Sequence, residues 1–426
     1  MRFSTSIIDP EVRQERMCGA VCTGKRPMKI IDLEVIPVTV PLEAPLRWSM
    51  GIETSTTRGI IKITTDDGIV GIGETYGGNA VEHAVQLAKP YVLGIDPLET
   101  GVLQHKLSVF RIGYETSVPA IVRAGIEMAC LDAAGKAVNR PVYSLLGGKV
   151  RDTVEVAAYL FYRYKSPDGR HGGEDSPKRI VERAKELVSR FGFRVFKFKG
   201  GVYPPDEELA AIQLLKEAFP GSQIRWDPNA AWSVETAIKV GQKLLRRDIE
   251  LEYLEDPTWN LEGMSKVRKS IAIPLATNMC LVAYDQLAPG IRLGSVDVIL
   301  ADVHYWGGLR ENQRMVAVCD AFQLGVGLHS DRELGISTAA MLHLAASTPS
   351  LVYAIDSHYH DQVDDIITTP FEYQNGHFQV PTGPGLGVEV DWDKVELYNR
   401  LFKKEGQTNE FYDPHRPTWI PALPIF

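Results

Sequence analysis

The segments RVFKFKGG (194–201), QIRWDPN (223–229) and LEYLEDP (251–257) decide the fold, because each is a short apolar run that stops at a polar residue. The same design precedes them in VEVAAYLF (154–161) and continues in PLATNM (274–279), VDVILADVH (296–304), GVGLHSD (325–331) and LVYAIDSH (351–358). The markers Lys197, Asp227, Glu255, Asn278, Asp302, His329 and Asp356 recur every 23 to 30 residues, with helical segments between them. That is the spacing of repeated strand–helix units, and eight such units close into a parallel barrel. Helix signals stand where this reading needs them: Ser176-Pro177 pairs an N-cap with proline at the first helical position, ahead of RIVERAKELVSRFG.

Upstream, MKIIDLEVIPVTVPL (28–42) is rich in β-branched residues, and the runs GIIKITT and IVGIGET flank Asp67-Gly68, a hairpin signal. Behind Pro119, the spacing of Ile121, Gly125, Met128, Ala129 and Asp132 predicts one helix. The expected organisation is a flexible tail over 1–27 and an α+β capping domain over 28–150. A (β/α)8-type barrel follows over 151–367, and a segment over 368–426 packs back on the cap. The polar insert SPDGRHGGEDS (166–176) reads as a mobile loop at the end of the first barrel strand.

Composition bounds the function. With 46 Lys and Arg against 54 Asp and Glu, the net charge is −8, so no chain-wide basic field exists to hold nucleic acid or an anionic membrane. No run of about 18 apolar residues occurs, and the first 27 residues lack a signal peptide's apolar centre, so a cytoplasmic enzyme is expected. The five cysteines are odd in number and sparse, unlike a disulfide framework, and the lone pair Cys18 and Cys22 reads as part of the tail.

Chemistry in such a barrel sits at the C-terminal strand ends, where the polar residues gather. Asp227, Glu255 and Asn278 offer only oxygen, the donor a hard cation such as Mg2+ prefers, and leave coordination positions for water and substrate. Glu262 is a competing carboxylate, but Glu255 ends the strand. Lys197 and Lys199 lie two apart and share one strand face; their mutual repulsion is expected to lower at least one pKa and ready a lysine as base. His329 ends strand seven and has Asp302 at the end of the preceding strand to fix its tautomer, which makes a second base facing the first across the barrel. Arg332 and Arg310 follow strands seven and six and are expected to grip a distal carboxylate.

These motifs give the chain a resemblance to the enolase superfamily, and within it to the glucarate dehydratase group. FKFKGG, WDPNAAW, EDP, ATNM, LADVHYW, LHSD and AIDSH carry it, with GIGET in the cap and PGLGVEVD near the end, over residues 28 to 400. The resemblance implies Asp227, Glu255 and Asn278 as magnesium ligands (Mn2+ substituting), Lys199 supported by Lys197 as one base, and His329 with Asp302 as the other. It implies Tyr159, Asn229 and His358 as substrate-contacting or supporting groups, an acid sugar as substrate, and a homo-oligomer. The implied reaction is α-proton abstraction and loss of the β-hydroxyl; the alternatives are a racemase or epimerase, or an inactive partner subunit of a dehydratase. Two departures concern the substrate: the family's HSNNH reads HSDRE here (329–333), and LRWSMGIETSTTRG (46–59) lacks the histidine that glucarate dehydratases place near the substrate.

Overall fold

A computed structural model of the chain describes residues 27–108 and 118–426. The expected N-terminal tail, with Cys18 and Cys22, lies outside the described residues, except for residue 27.

The chain opens with three antiparallel strands, β1 (Ile30–Trp48), β2 (Gly51–Thr65) and β3 (Val70–Tyr76). The Asp67-Gly68 hairpin forms as its sequence predicts, with Gly68 at φ 85° and its N–H donating to the Thr65 carbonyl at 3.0 Å. Helices α1 (Asn79–Val92), α2 (Thr100–Ser108) and α3 (Ala120–Val138) cover one face, and Ile30, Leu33, Ile61, Ile63, Val85, Leu103 and Ile126 make that domain's core. Pro119 precedes α3, and the helix is apolar almost all round because it is buried between the capping sheet and the barrel. It approaches β3 so closely that a Cβ on Gly73 would stand 2.1 Å from the Gly125 carbonyl oxygen, so this contact requires glycine.

After the short α4 (Val142–Leu145) the barrel begins. Its strands are β4 (Thr153–Arg163), β5 (Val195–Lys199), β6 (Gln223–Asp227), β7 (Tyr253–Glu255), β8 (Leu275–Thr277), β9 (Val298–Ala301), β10 (Gly325–Leu328) and β11 (Ile355–Ser357). Helices α5 (Pro177–Phe191), α6 (Pro205–Ala218), α7 (Val234–Arg246), α8 (Leu261–Arg268), α9 (Tyr284–Leu293), α10 (Leu309–Ala321) and α11 (Gly335–Ser347) alternate with them. Among the described residues these eight strands are all parallel, and β11 returns to pair with β4. At the seam between β10 and β11 a single bridge, Val326 to Leu351, replaces a ladder. The fold is the expected modified TIM barrel with an α+β cap.

Parallel register stacks the inward side chains in layers. Phe161, Lys199 and Asp227 are level with one another, and Tyr159, Lys197, Arg225 and Tyr253 form the layer beneath. Leu160, Phe198, Trp226 and Leu254 alternate outward into the helix-facing core.

Cap and barrel are joined by Glu74 of β3, whose two oxygens accept the backbone N–H groups of Leu334 and Ser337, each at 2.9 Å. A carboxylate from one domain thus terminates helix α11 of the other, where the helix dipole favours negative charge. Burial pushes the Glu74 carboxyl up to about 7 against the pull of Arg58.

The insert over 166–176 is tied down instead of free: Arg163 grips Glu174 with both guanidinium edges, at 2.7 and 2.9 Å, and Gly173 N–H donates to the Arg163 carbonyl. Beyond the barrel, β12 (His377–Gln379) adds antiparallel to β4, and α12 (Trp392–Glu405) lies on β1, where Asn399 Nδ2 donates to the Pro37 carbonyl at 2.7 Å. Cys130, Cys280 and Cys319 are buried free thiols, and no described helix is long and apolar enough to cross a membrane.

Candidate active site

At the C-terminal strand ends a cavity of about 340 Å³ opens between barrel and cap. Lys199, Asn229, Asn278, His329, Arg332 and His358 line it, so β5, β6, β8, β10 and β11 or the loops after them each contribute. Lys197, Asp227, Glu255, Asp302 and Tyr159 lie immediately behind this lining, with no more than 1% of their surface exposed.

The floor is a lattice of charges. Lys197 Nζ stands 2.7 Å from Glu255 Oε1, 2.7 Å from Asp356 Oδ2 and 3.7 Å from Asp227 Oδ2; Lys199 Nζ donates to Asp227 Oδ2 at 2.6 Å. Burial alone would lower the Lys197 ammonium, but Asp356, Glu255 and Asp227 outweigh it and hold it above the ordinary lysine range. The lowering expected for at least one lysine of the pair therefore does not fall on Lys197, because the carboxylates packed around it outweigh the neighbouring ammonium. Burial drives the Glu255 carboxyl well up, with Asp227 adding to it, whereas the two lysines overcome burial and keep Asp227 below its ordinary value.

His329 Nδ1 lies 2.9 Å from Asp302 Oδ2, and Asp302 Oδ1 accepts the N–H groups of His304 and Tyr305 at 2.7 and 2.9 Å. The aspartate is therefore held on both edges, and its bond to His329 overcomes burial to keep its carboxyl below the usual range. With the Asn278 amide turned to satisfy its neighbours, its carbonyl accepts from His329 Nε2 at 2.6 Å and its NH2 faces Glu255 Oε1 and Asp256 Oδ2 at 3.3 and 3.0 Å.

The oxygen donors suit a hard cation. Glu255 Oε2 is a buried oxygen without a hydrogen-bond donor, and the Asn278 carbonyl and Asp227 carboxylate share the same pocket floor. Among the described residues no cluster of three or more His, Cys, Asp or Glu side chains is arranged to hold a metal, and the third donor of this set is an amide. Glu262 sits on the exposed first turn of α8, away from these groups.

Other expected residues take different places. Tyr159 is shut off from the cavity: its hydroxyl donates to the Ser330 carbonyl at 3.1 Å and its ring stacks on His358 at 4.0 Å, so it supports the wall. His358 Nδ1 accepts the Arg332 N–H at 3.3 Å, and burial pushes the ring well below its ordinary pKa, so it is neutral. Arg310 opens α10 beside Glu127 of α3 and does not line the cavity. Arg332 does, but its guanidinium is occupied by the chain's own Asp331, Glu410 and Glu53. The expected grip on a substrate carboxylate is filled from within.

Several lining groups carried no sequence signal as site residues: Trp48, Met50 and Glu53 come from the β1–β2 connection, Tyr305 from the loop after β9, and Glu410 and Phe411 from the C-terminal segment. Strained backbone marks other loops at the strand ends, those after β6, β7 and β10, where Asn229, Ala230, Asp256 and Arg332 hold φ of 47°, 59°, 35° and 62°.

Comparison with known proteins accords with this architecture. Residues 30–147 match the mandelate racemase / muconate lactonizing enzyme N-terminal domain, and residues 179–394 the enolase C-terminal domain-like family. The chain is 39% identical to a probable glucarate dehydratase of Streptomyces coelicolor, over 94% of this chain and 99% of that protein. A solved enolase of Mycobacterium smegmatis complexed with tartrate superposes with a TM-score of 0.87 at 38% identity, covering 94% of this chain and 99% of the other. One from Thermobispora bispora complexed with magnesium and formate gives 0.87 at 38%, covering 94% and 100%. Barrel, cap and sequence together place the chain in the enolase superfamily, to which it belongs.

Proposed function

We propose that the chain is a magnesium-dependent acid-sugar dehydratase, a carbon–oxygen lyase that converts a hydroxylated sugar acid to a 2-keto-3-deoxy acid. The carrying observation is that Lys199 and the Asp302-paired His329 line one cavity with Asn278, above a floor of oxygen donors. The similarity to a probable glucarate dehydratase and to an enolase crystallised with magnesium supports the same reading.

Asp227, Glu255 and Asn278 would hold the cation, which supplies a compensating positive charge for the substrate carboxylate as its α-carbon ionises. Lys199 or His329, according to the configuration at that carbon, takes the α-proton. Lys199 must leave its 2.6 Å pair with Asp227 to do so, and His329 must release Asn278, while Asp302 keeps the imidazole in place. The electron pair left on the substrate forms an enediolate, whose charge the fixed ammonium of Lys197 stabilises. The β-hydroxyl departs as water with a proton given by the imidazolium of His329, which either carries the abstracted α-proton or stands protonated opposite Lys199, and the resulting enol tautomerises to the keto acid.

Epimerisation is the second reading, favoured by the two bases on one cavity, since a proton removed by one can be replaced by the other. Incubation of acid sugars with the Mg2+-loaded protein in D2O separates them. Dehydration yields a keto acid that reacts with semicarbazide; exchange of the α-proton without keto acid favours epimerisation and overturns the dehydratase reading.

A further inference from the structure

The capping side of the cavity carries an excess of negative charge. Arg332 Nη2 lies 2.9 Å from Asp331 Oδ1 and 2.7 Å from Glu410 Oε2, and its Nε lies 3.3 Å from Glu53 Oε2. One guanidinium therefore faces three carboxylates, delivered by the cap, the loop after β10 and the C-terminal segment. Of the other cations nearby, Arg58 is balanced by Glu74 at 3.4 Å and Glu333 at 3.6 Å, and Lys199, which also acts on Glu53, is paired with Asp227 at 2.6 Å. Burial, with Asp331 and Glu410 adding to it against Arg332, pushes the Glu53 carboxyl up to about 7, as crowding of like charge requires.

Among the described groups that line the cavity, the buried atoms without a well-formed hydrogen bond are acceptors. Glu53 Oε2 has the Arg332 Nε 3.3 Å away but accepts no well-formed hydrogen bond, although the residue is only 8% exposed. Asn229 directs its NH2 to Met279 Sδ at 3.8 Å and leaves its buried Oδ1 unpaired. Both residues line the cavity. Unpaired buried acceptors are satisfied by hydroxyl donors, whereas an incoming carboxylate brings only more acceptors and more negative charge.

On the dehydratase reading, the reacting carboxylate lies with Lys199, Asn278 and His329, so the rest of the substrate extends toward this wall. We infer that the wall formed by Glu53, Asp331, Arg332 and Glu410 selects a monocarboxylic sugar acid with an uncharged, hydroxylated far end and rejects dicarboxylic ones. Glu53 and Glu410 are the specificity-determining residues, and they act by keeping Arg332 occupied. The inference rests on the dehydratase reading for the orientation of the substrate and goes beyond it in naming the class of acid.

The test uses the full chain with Mg2+ and two matched pairs, D-gluconate with D-glucarate and D-galactonate with D-galactarate. Both kcat/KM for keto-acid formation and Kd by calorimetry are measured. The expected result is at least about a ten-fold preference for the monoacid of the better pair, a lower bound for one like-charge contact near a protein surface. Glu410→Gln and, separately, Glu53→Gln each narrow that preference by raising the affinity for the diacid, because Arg332 is released to bind it. The two variants lie on different segments, and the wild-type ratio is informative even where one of them fails to fold. Preference for the diacid in the wild type, a ratio unmoved by both folded variants, or no binding of any of the four acids overturns the inference. Turnover with the diacid preferred leaves the dehydratase reading standing and removes only this one. Tighter monoacid binding without turnover of either pair does the reverse.

Discussion

Asp302 and His329 meet across adjacent barrel strands at 2.9 Å, and the aspartate is itself pinned by two backbone N–H groups. A base so oriented is worth about 10²- to 10⁴-fold in rate, so His329→Asn should cost at least about 10² in kcat with an unchanged circular dichroism spectrum. Asp302→Asn should cost less, because it orients the ring without taking the proton. Equal losses in the two variants would show that Asp302 does more than orient.

Removal of metal is the second expectation. EDTA should abolish activity and Mg2+ or Mn2+ restore it, and Asp227→Asn should weaken Mg2+ binding measured by calorimetry about 10-fold or more. Turnover at full rate in metal-free buffer would remove Asp227, Glu255 and Asn278 from the role given to them.

Lys197 has no exposed surface and is surrounded by Glu255, Asp356 and Asp227. Lys197→Met leaves those carboxylates facing each other, and breaking a buried pair in this way costs about 3–5 kcal/mol. The urea midpoint should fall accordingly, and activity with it. A variant as stable as the wild type would mean that protonation of Glu255 absorbs the loss.

His343 on α11 is buried, with Nε2 donating to the Leu386 carbonyl at 3.1 Å, and burial lowers it from 6.5 to about 4. Between those values the unfolded chain binds a proton that the folded chain refuses, so this group's contribution to stability is lost as pH falls through that window. His343→Gln keeps a donor for Leu386 without the titration. Its loss of stability between pH 7 and pH 5, followed by urea unfolding, should be smaller than the wild type's by up to about 2 kcal/mol.

The barrel was legible because its signals are local. Lys197 and Lys199 share a face through a two-residue period, and strand-end residues such as Asp227 and His329 repeat at the spacing of one strand–helix unit. What escaped was set by long-range packing. Glu53 lies in the capping stretch 46–59, which the sequence marks only by a missing histidine, Glu410 in a tail without period, and neither has meaning as a site residue until the fold brings both to Arg332. The same holds for Asp356, a mere spacing marker in the sequence, which fixes Lys197 from β11. The two-residue spacing of Lys197 and Lys199 shows one neighbouring cation and none of the three carboxylates that the fold packs around Lys197.

The carboxylate of Glu74 makes the two domains thermodynamically inseparable. Helix α11 follows directly on the loop bearing His329, yet while the Gly335 N–H is accepted by Asp365, those of Leu334 and Ser337 find their acceptor on a cap strand more than 250 residues earlier in the chain. A barrel severed from its cap would leave the Leu334 and Ser337 donors to water, and a cap severed from its barrel would keep only Arg58 beside the Glu74 carboxylate. Loosening of the cap therefore acts on the segment that follows His329, the base of the proposed mechanism.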